Sequence, residues 1–176
     1  MLPANSKLSA LSALGEVRLR LRETGQTLVM TNGCFDLLHP GHICFLQNAR
    51  RLGDRLVVAL NSDASVRRLK GRKHPVQTEL ERAFALAALS CVDHVVIFHE
   101  PDVTAEIGAL RPDIYTKAGD YTLEKLHPGE RAALEKCGAQ IRFLPFLDGY
   151  STTNTIRKII EAEGIGQHRS PDETQS

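Results

Sequence analysis

Two imidazoles three residues apart, His39 and His42, bracket Pro40 and Gly41 directly after an apolar run, and no other segment of the chain is as well equipped for chemistry. The spacing puts both rings on roughly the same side of a helix start. Free backbone N–H groups and partial positive charge gather there and suit a phosphate. Gly41 leaves room for a large ligand to approach the backbone. Two imidazole donors and a helix end can together stabilise charge building on a five-coordinate phosphorus, with no covalent nucleophile. Taken alone, the spacing fits equally well a His39 that caps the helix and a His42 on the surface of its first turn. Two His are too few for a metal ligand set.

Other segments carry similar chemistry. Ser151-Thr152-Thr153-Asn154 precedes the last amphipathic stretch, where hydroxyls and N–H groups at a helix start form an anion cradle. Read alone it is an N-cap; its place after the fifth strand, on the sheet edge that also carries His39, favours the cradle. Asp63 ends the second strand on that edge, in a position for ribose or metal contact, or for capping the 64–70 turn. Lys70-Gly71-Arg72-Lys73 is a small basic cluster of the kind that usually forms solvated surface. Arg82 either meets phosphate or pairs with Glu79 or Glu81. His94, His99, His127 and His168 flank a strand or lie in loops, where surface or satisfied polar roles are the default.

These residues are positioned by a regular alternation of elements. Leu8, Leu11, Leu14, Val17 and Leu21 predict a helix over 6–21, and residues 27–31 read as a buried strand. Helices follow at about 41–52, 79–90, 103–110, 130–137 and 153–163, with strands at 55–60, 94–98, 113–116 and 140–144. Continuous apolar strands separated by amphipathic helices indicate a Rossmann-like, doubly wound parallel sheet of five strands with helices on both faces. Ligands bind such sheets at the carboxyl edge. The expected organisation is one domain over 25–163, preceded by a helix in 1–24 that packs on the core or on a partner subunit. A polar tail over 164–176 reads as disordered.

The bulk numbers exclude several classes. In 176 residues, 22 Lys and Arg face 21 Asp and Glu, so the chain lacks the basic excess that nucleic-acid and membrane surfaces call for. No apolar run approaches the ~20 residues of a membrane span, and the first residues lack the layout of a signal peptide. Cys34, Cys44, Cys91 and Cys137 form no CxxC pair, which points to reduced thiols in a cytoplasmic protein.

The stretch from Gly33 to His42, reading Gly-Cys-Phe-Asp-Leu-Leu-His-Pro-Gly-His, resembles the HxGH signature of the cytidylyltransferase-like nucleotidyltransferases. The likeness runs from about Leu28 to Ile160. It takes in Asn61-Ser62-Asp63, Arg82, Lys117-Ala118-Gly119-Asp120-Tyr121 and Asp148-Gly149-Tyr150-Ser151-Thr152-Thr153-Asn154. The branch most alike is that of the heptose 1-phosphate adenylyltransferases, often fused to a sugar kinase. The resemblance implies AMP transfer from ATP to a sugar 1-phosphate, by direct attack on the α-phosphate, with Mg²⁺ carried mainly by the triphosphate. It implies catalytic roles for His39, His42 and Lys70, and nucleotide contacts for Gly33, Cys34, Phe35, Gly41, Asp63, Arg82, Asp120, Ser151, Thr152 and Thr153. Asp36 and Lys117 would meet the second substrate, and the family suggests a homodimer. Two departures stand out. The mobile loop of such relatives reads Lys-Gly-x-x-Arg-Pro-Val where this chain has His74 before Pro75, and Ala118 replaces the first glycine of Lys-Gly-Gly-Asp. Cytidyl transfer to glycerol 3-phosphate or a phosphorylated amino alcohol is the enzymatic alternative, although the Arg that precedes Ser-Thr-Thr in those relatives is missing here. A non-catalytic nucleotide-binding module is the other.

Overall fold

The computed structural model describes Pro3 and residues 5–119, 121–145 and 147–164. Five parallel strands form one sheet in the order β3-β2-β1-β4-β5, namely β1 (Leu28–Gly33), β2 (Arg55–Asn61), β3 (His94–Phe98), β4 (Ile114–Ala118) and β5 (Gln140–Leu144). The central strands are apolar on both faces, which a parallel sheet covered by helices requires. In β2, every residue from Leu56 to Asn61 is buried. Successive side chains feed opposite layers: Leu28 and Met30 pack with Tyr115 and Ile107, whereas Val29 packs with Leu46 and Leu86.

Helices α1 (Leu11–Glu23), α5 (Thr104–Leu110) and α6 (Pro128–Cys137) cover the first layer; α2 (Pro40–Arg50) and α4 (Glu79–Ala87) cover the second. α1 begins five residues later than the periodicity predicts. Leu8 keeps the helical spacing but is used in a parallel bridge to Val95, with Ser9 N–H donating to the Val95 carbonyl, so the chain runs extended along β3 before it coils. Leu14 and Leu21 then pack into the core, and Arg18 makes a two-pronged pair with Asp113 at 2.7 and 2.9 Å. Of the apolar stripe that suggested a second subunit, Leu14 and Leu21 are buried and Leu11 and Val17 partly buried within the same chain, while Leu8 is exposed.

Residues 64–70, read as a turn, belong to a helix, α3 (Asp63–Lys70), capped by the Ser62 hydroxyl, which accepts from Ser65 N–H. α7 (Thr152–Ala162) follows β5 and carries no buried residue. The predicted disordered tail falls, beyond Gly164, outside the described residues. None of the described helices is long and apolar enough to cross a membrane.

The strand order fixes where a ligand can sit. The chain leaves β1 toward β2 on one side and returns to β4 on the other, so the connections diverge between the carboxyl ends of β1 and β4 and leave a crevice there.

Candidate active site

The loop entering that crevice is held under strain. Phe35 (φ 45°) and Leu37 (φ 49°) occupy the left-handed region, which costs a bulky residue on the order of 1–3 kcal/mol unless its surroundings impose it. Three tethers do so. The Phe35 ring lies under Gly33, where a Cβ would come within 3.0 Å of it. The buried Asp36 carboxylate accepts from the N–H groups of Val76 (2.8 Å) and Gln77 (3.1 Å), pinning the segment that follows the basic cluster. The Asp36 carbonyl accepts from the Thr152 hydroxyl at 2.8 Å, which fastens the start of α7. Asp36 thus ties three segments together with its own backbone and carboxylate.

His39 occupies the N-cap position of α2 without a side-chain cap hydrogen bond; its carbonyl accepts from His42 N–H at 2.9 Å. Its ring stacks on that of His42, with centroids 3.8 Å apart and planes at 22°. His42 lines the cleft, while His39 is buried behind it. Burial, then the neighbouring His39 and Lys70, push His42 down to about 4 against the pull of Asp36; burial also lowers His39. Both rings are neutral at pH 7, so His42 offers a neutral N–H donor that gives up no proton to solvent. Gly41 makes room for this pair. A Cβ there would sit 3.0 Å from His39 Nδ1 and 3.3 Å from the Tyr150 Cβ. Gly41→Ala is expected to push the His39 ring off His42 and cut turnover by at least ~10-fold, since displacements near 1 Å carry such costs. Parallel measurement of turnover and thermal midpoint checks this, with the midpoint nearly unchanged.

The cleft measures about 530 Å³ and is lined by Asn32–Asp36, His42, Asn61, Phe98, Lys117, Ala118 and Thr152, with Lys70, Asp102, Tyr121, Lys125, His127 and Glu130 around its rim and floor. That volume suits a nucleotide-sized ligand. Residues 30–158 match the cytidylyltransferase-like family, which covers most of the chain. The chain belongs to the cytidylyltransferase-like family.

Among curated relatives, the bifunctional protein HldE of Syntrophotalea carbinolica is 50% identical over 157 residues, which is 89% of this chain and 32% of the relative. HldE of Trichlorobacter lovleyi is 48% identical over 90% of the chain and 32% of its own length. The chain therefore spans about a third of the length of these relatives. A crystal structure of a lipopolysaccharide core biosynthesis protein from Thermoplasma volcanium superposes with a TM-score of 0.58 at 32% identity, covering 72% of this chain and all of that one. Pantoate-beta-alanine ligase from Francisella tularensis shares the fold alone, at 14% identity and a TM-score of 0.55 over 88% of this chain and 78% of its own.

The residues singled out by sequence separate into two groups. Gly33, Cys34, Phe35, Asp36, His42, Lys70, Lys117 and Thr152 converge on the cleft. Ser151 stands beside it as the N-cap of α7, its hydroxyl accepting from Asn154 N–H at 3.0 Å, and Thr153 is exposed. Arg82 and Asp63 lie outside the lining and meet each other. The guanidinium, wholly buried, donates to Asp63 Oδ1 (2.8 Å), the Cys34 carbonyl (2.6 Å) and the Gln77 carbonyl (3.1 Å). Where a phosphate contact was expected of Arg82 and a ribose or metal contact of Asp63, the two side chains form an ion pair with each other. Arg82 braces the loop from beneath, and its partner is Asp63 rather than Glu79 or Glu81. Asp120 lies outside the described residues.

Ala118 is accommodated because the conformational demand falls one residue later. Ala118 pairs with Leu144 in β4, and it is Gly119 that takes a φ of 84°.

Three polar residues that sequence reasoning did not single out gather at the cleft floor. Asn32 Oδ1 accepts from the Tyr115 hydroxyl (2.7 Å) and from Lys117 Nζ (2.5 Å), and Glu130 Oε2 lies 3.3 Å from the same hydroxyl and 3.8 Å from the same ammonium. The available signal was the spacing of Tyr115 and Lys117, which as alternate residues of one strand share a face.

Proposed function

We propose that this nucleotidyltransferase moves AMP from ATP to a sugar 1-phosphate, D-glycero-β-D-manno-heptose 1-phosphate above all, giving an ADP-sugar and pyrophosphate for lipopolysaccharide core or related glycan synthesis. The observation that carries this reading is the stacked, neutral His39–His42 pair presenting His42 to a cleft at the divergence of β1 and β4. An oxygen of the acceptor phosphate bonds to the α-phosphorus as the bond to the bridging oxygen breaks, and pyrophosphate leaves with that electron pair. The acceptor phosphate is already ionised, so no strong base is needed. The one thiol in the loop, Cys34, is raised by burial and is unsuited to act as a nucleophile.

His42 donates to the charge that grows on the transferring phosphate, Lys70 closes on the leaving pyrophosphate, and the start of α7 adds N–H groups. Mg²⁺ is proposed to accompany the triphosphate and offset its charge. The choice of sugar rests on the resemblance to the heptose branch and on the lipopolysaccharide protein from Thermoplasma volcanium. A cytoplasmic location accords with ATP as substrate. A homodimer rests on the family resemblance alone.

Pyrophosphate release is the direct test, run with ATP and CTP against a panel of sugar 1-phosphates and glycerol 3-phosphate. The expected result is a preference for ATP with heptose 1-phosphate. A clear preference for CTP with glycerol 3-phosphate or a phosphorylated amino alcohol would replace this reading with the cytidyl one. Tight ATP binding without turnover on any acceptor would leave only a binding module.

A further inference from the structure

In-line displacement demands that the attacking oxygen arrive opposite the leaving pyrophosphate. His42, Lys70 and the start of α7 provide for the triphosphate, so the acceptor must enter from the wall that holds Lys117. Adenine and ribose are neutral, and the group that calls for a buried cation on that wall is the phosphate of the acceptor. Lys117 fits the task. Its side chain is 11% exposed and lines the cleft. Asn32 Oδ1 takes one of its three N–H donors and Glu130 attracts another, while the Tyr121 ring, itself part of the cleft lining, lies 5.2 Å from the ammonium.

We propose that Glu130 is a positioning residue for acceptor binding. Reaching in from the first turn of α6, its carboxylate keeps Lys117 charged and directed at the acceptor phosphate, with Asn32 and Tyr115 fixing the geometry. This inference rests on the nucleotidyl-transfer reading above. Burial alone lowers Lys117 and disfavours its ammonium, and the carboxylate of Glu130 is the first force opposing that. Glu130 is itself 5% exposed and oriented by Val103 N–H, so it reaches Lys117 from a fixed support. A buried carboxylate with no role at the cleft would be costly without its partners.

The test is equilibrium binding of heptose 1-phosphate, by calorimetry, in the presence of a non-hydrolysable ATP analogue. Wild type, Glu130→Gln and Lys117→Gln are compared, with each variant's fold checked by circular dichroism. Glu130→Gln is expected to weaken acceptor binding by ~10–100-fold, the range for loss of a charge-assisted contact, while binding of the ATP analogue changes less than about 2-fold. Lys117→Gln weakens acceptor binding at least as much, and it carries the test if Glu130→Gln fails to fold. Unchanged acceptor affinity in a folded variant, or an equal loss for both ligands, overturns the inference. Because binding needs no turnover, a wild type that binds both ligands without releasing pyrophosphate defeats the functional reading and leaves this one standing. A wild type that does not bind the acceptor defeats the inference as well.

Discussion

His42→Ala is expected to lower turnover by about 10²–10³-fold, roughly 3–4 kcal/mol of transition-state stabilisation, with the fold intact. The size follows from the donor's surroundings. His42 is largely enclosed, its Nδ1 has no hydrogen-bond partner within the described protein, and its ring is held by His39 on one side and Phe35 at 5.4 Å on another. A donor fixed in place before the reaction needs no reorganisation as charge develops. Near-normal turnover in the variant would remove His42 from the mechanism. The pH behaviour is a second check. With His42 near 4, its ring should add no ionisation around 6.5 to the activity profile beyond the second ionisation of the acceptor phosphate, at ~6. For stability, the folded pKa of His42 lies below the unfolded value of 6.5, so the unfolded chain takes up the proton first. The contribution, on the order of 2–3 kcal/mol, is present above pH 6.5 and is lost as pH falls toward 4. Denaturant midpoints measured between pH 7 and pH 4.5 should therefore fall less steeply in His42→Ala than in wild type.

The sequence made the sheet legible because its signals are strong and local. The strands at 94–98 and 140–144 fall where the apolar runs place them. α3 escaped because the Asp63–Lys70 segment buries only Ser65 and Val66 and leaves Leu69 exposed, so no apolar stripe marks it. The strained backbone at Phe35 and Leu37 has no sequence mark, since both are poor candidates for the left-handed region. At the site, residue types and spacing bring His42, Lys70, Lys117 and Thr152 together, because the strand-to-helix loops share one edge. What spacing could not convey is which charged residue faces the cleft and which faces another side chain. Arg82 and Asp63 both have the chemistry of ligands, but in the structure each is engaged by the other.

Arg82 therefore yields the other large expected effect, on stability rather than on binding. Its side chain is wholly buried and serves three acceptors on three segments: Asp63 at the start of α3, Gln77 just before α4, and Cys34 in the strained loop. Arg82→Ala strips a half-buried carboxylate and two carbonyls of their wholly buried donor at once, and removing one partner of a buried pair costs about 3–5 kcal/mol. For a chain of this size that corresponds to a fall in thermal midpoint of roughly 10 °C. Arg82→Lys should recover little, because a single ammonium cannot span three acceptors arranged around a planar fork. A residue that binds triphosphate would behave in the opposite way, with the midpoint preserved and the KM for ATP raised by ~10-fold or more. Thermal unfolding together with KM for ATP, measured well below the variant's midpoint, separates the two. A stable Arg82→Ala with weakened ATP binding would mean that the guanidinium turns out of its buried site to meet the nucleotide.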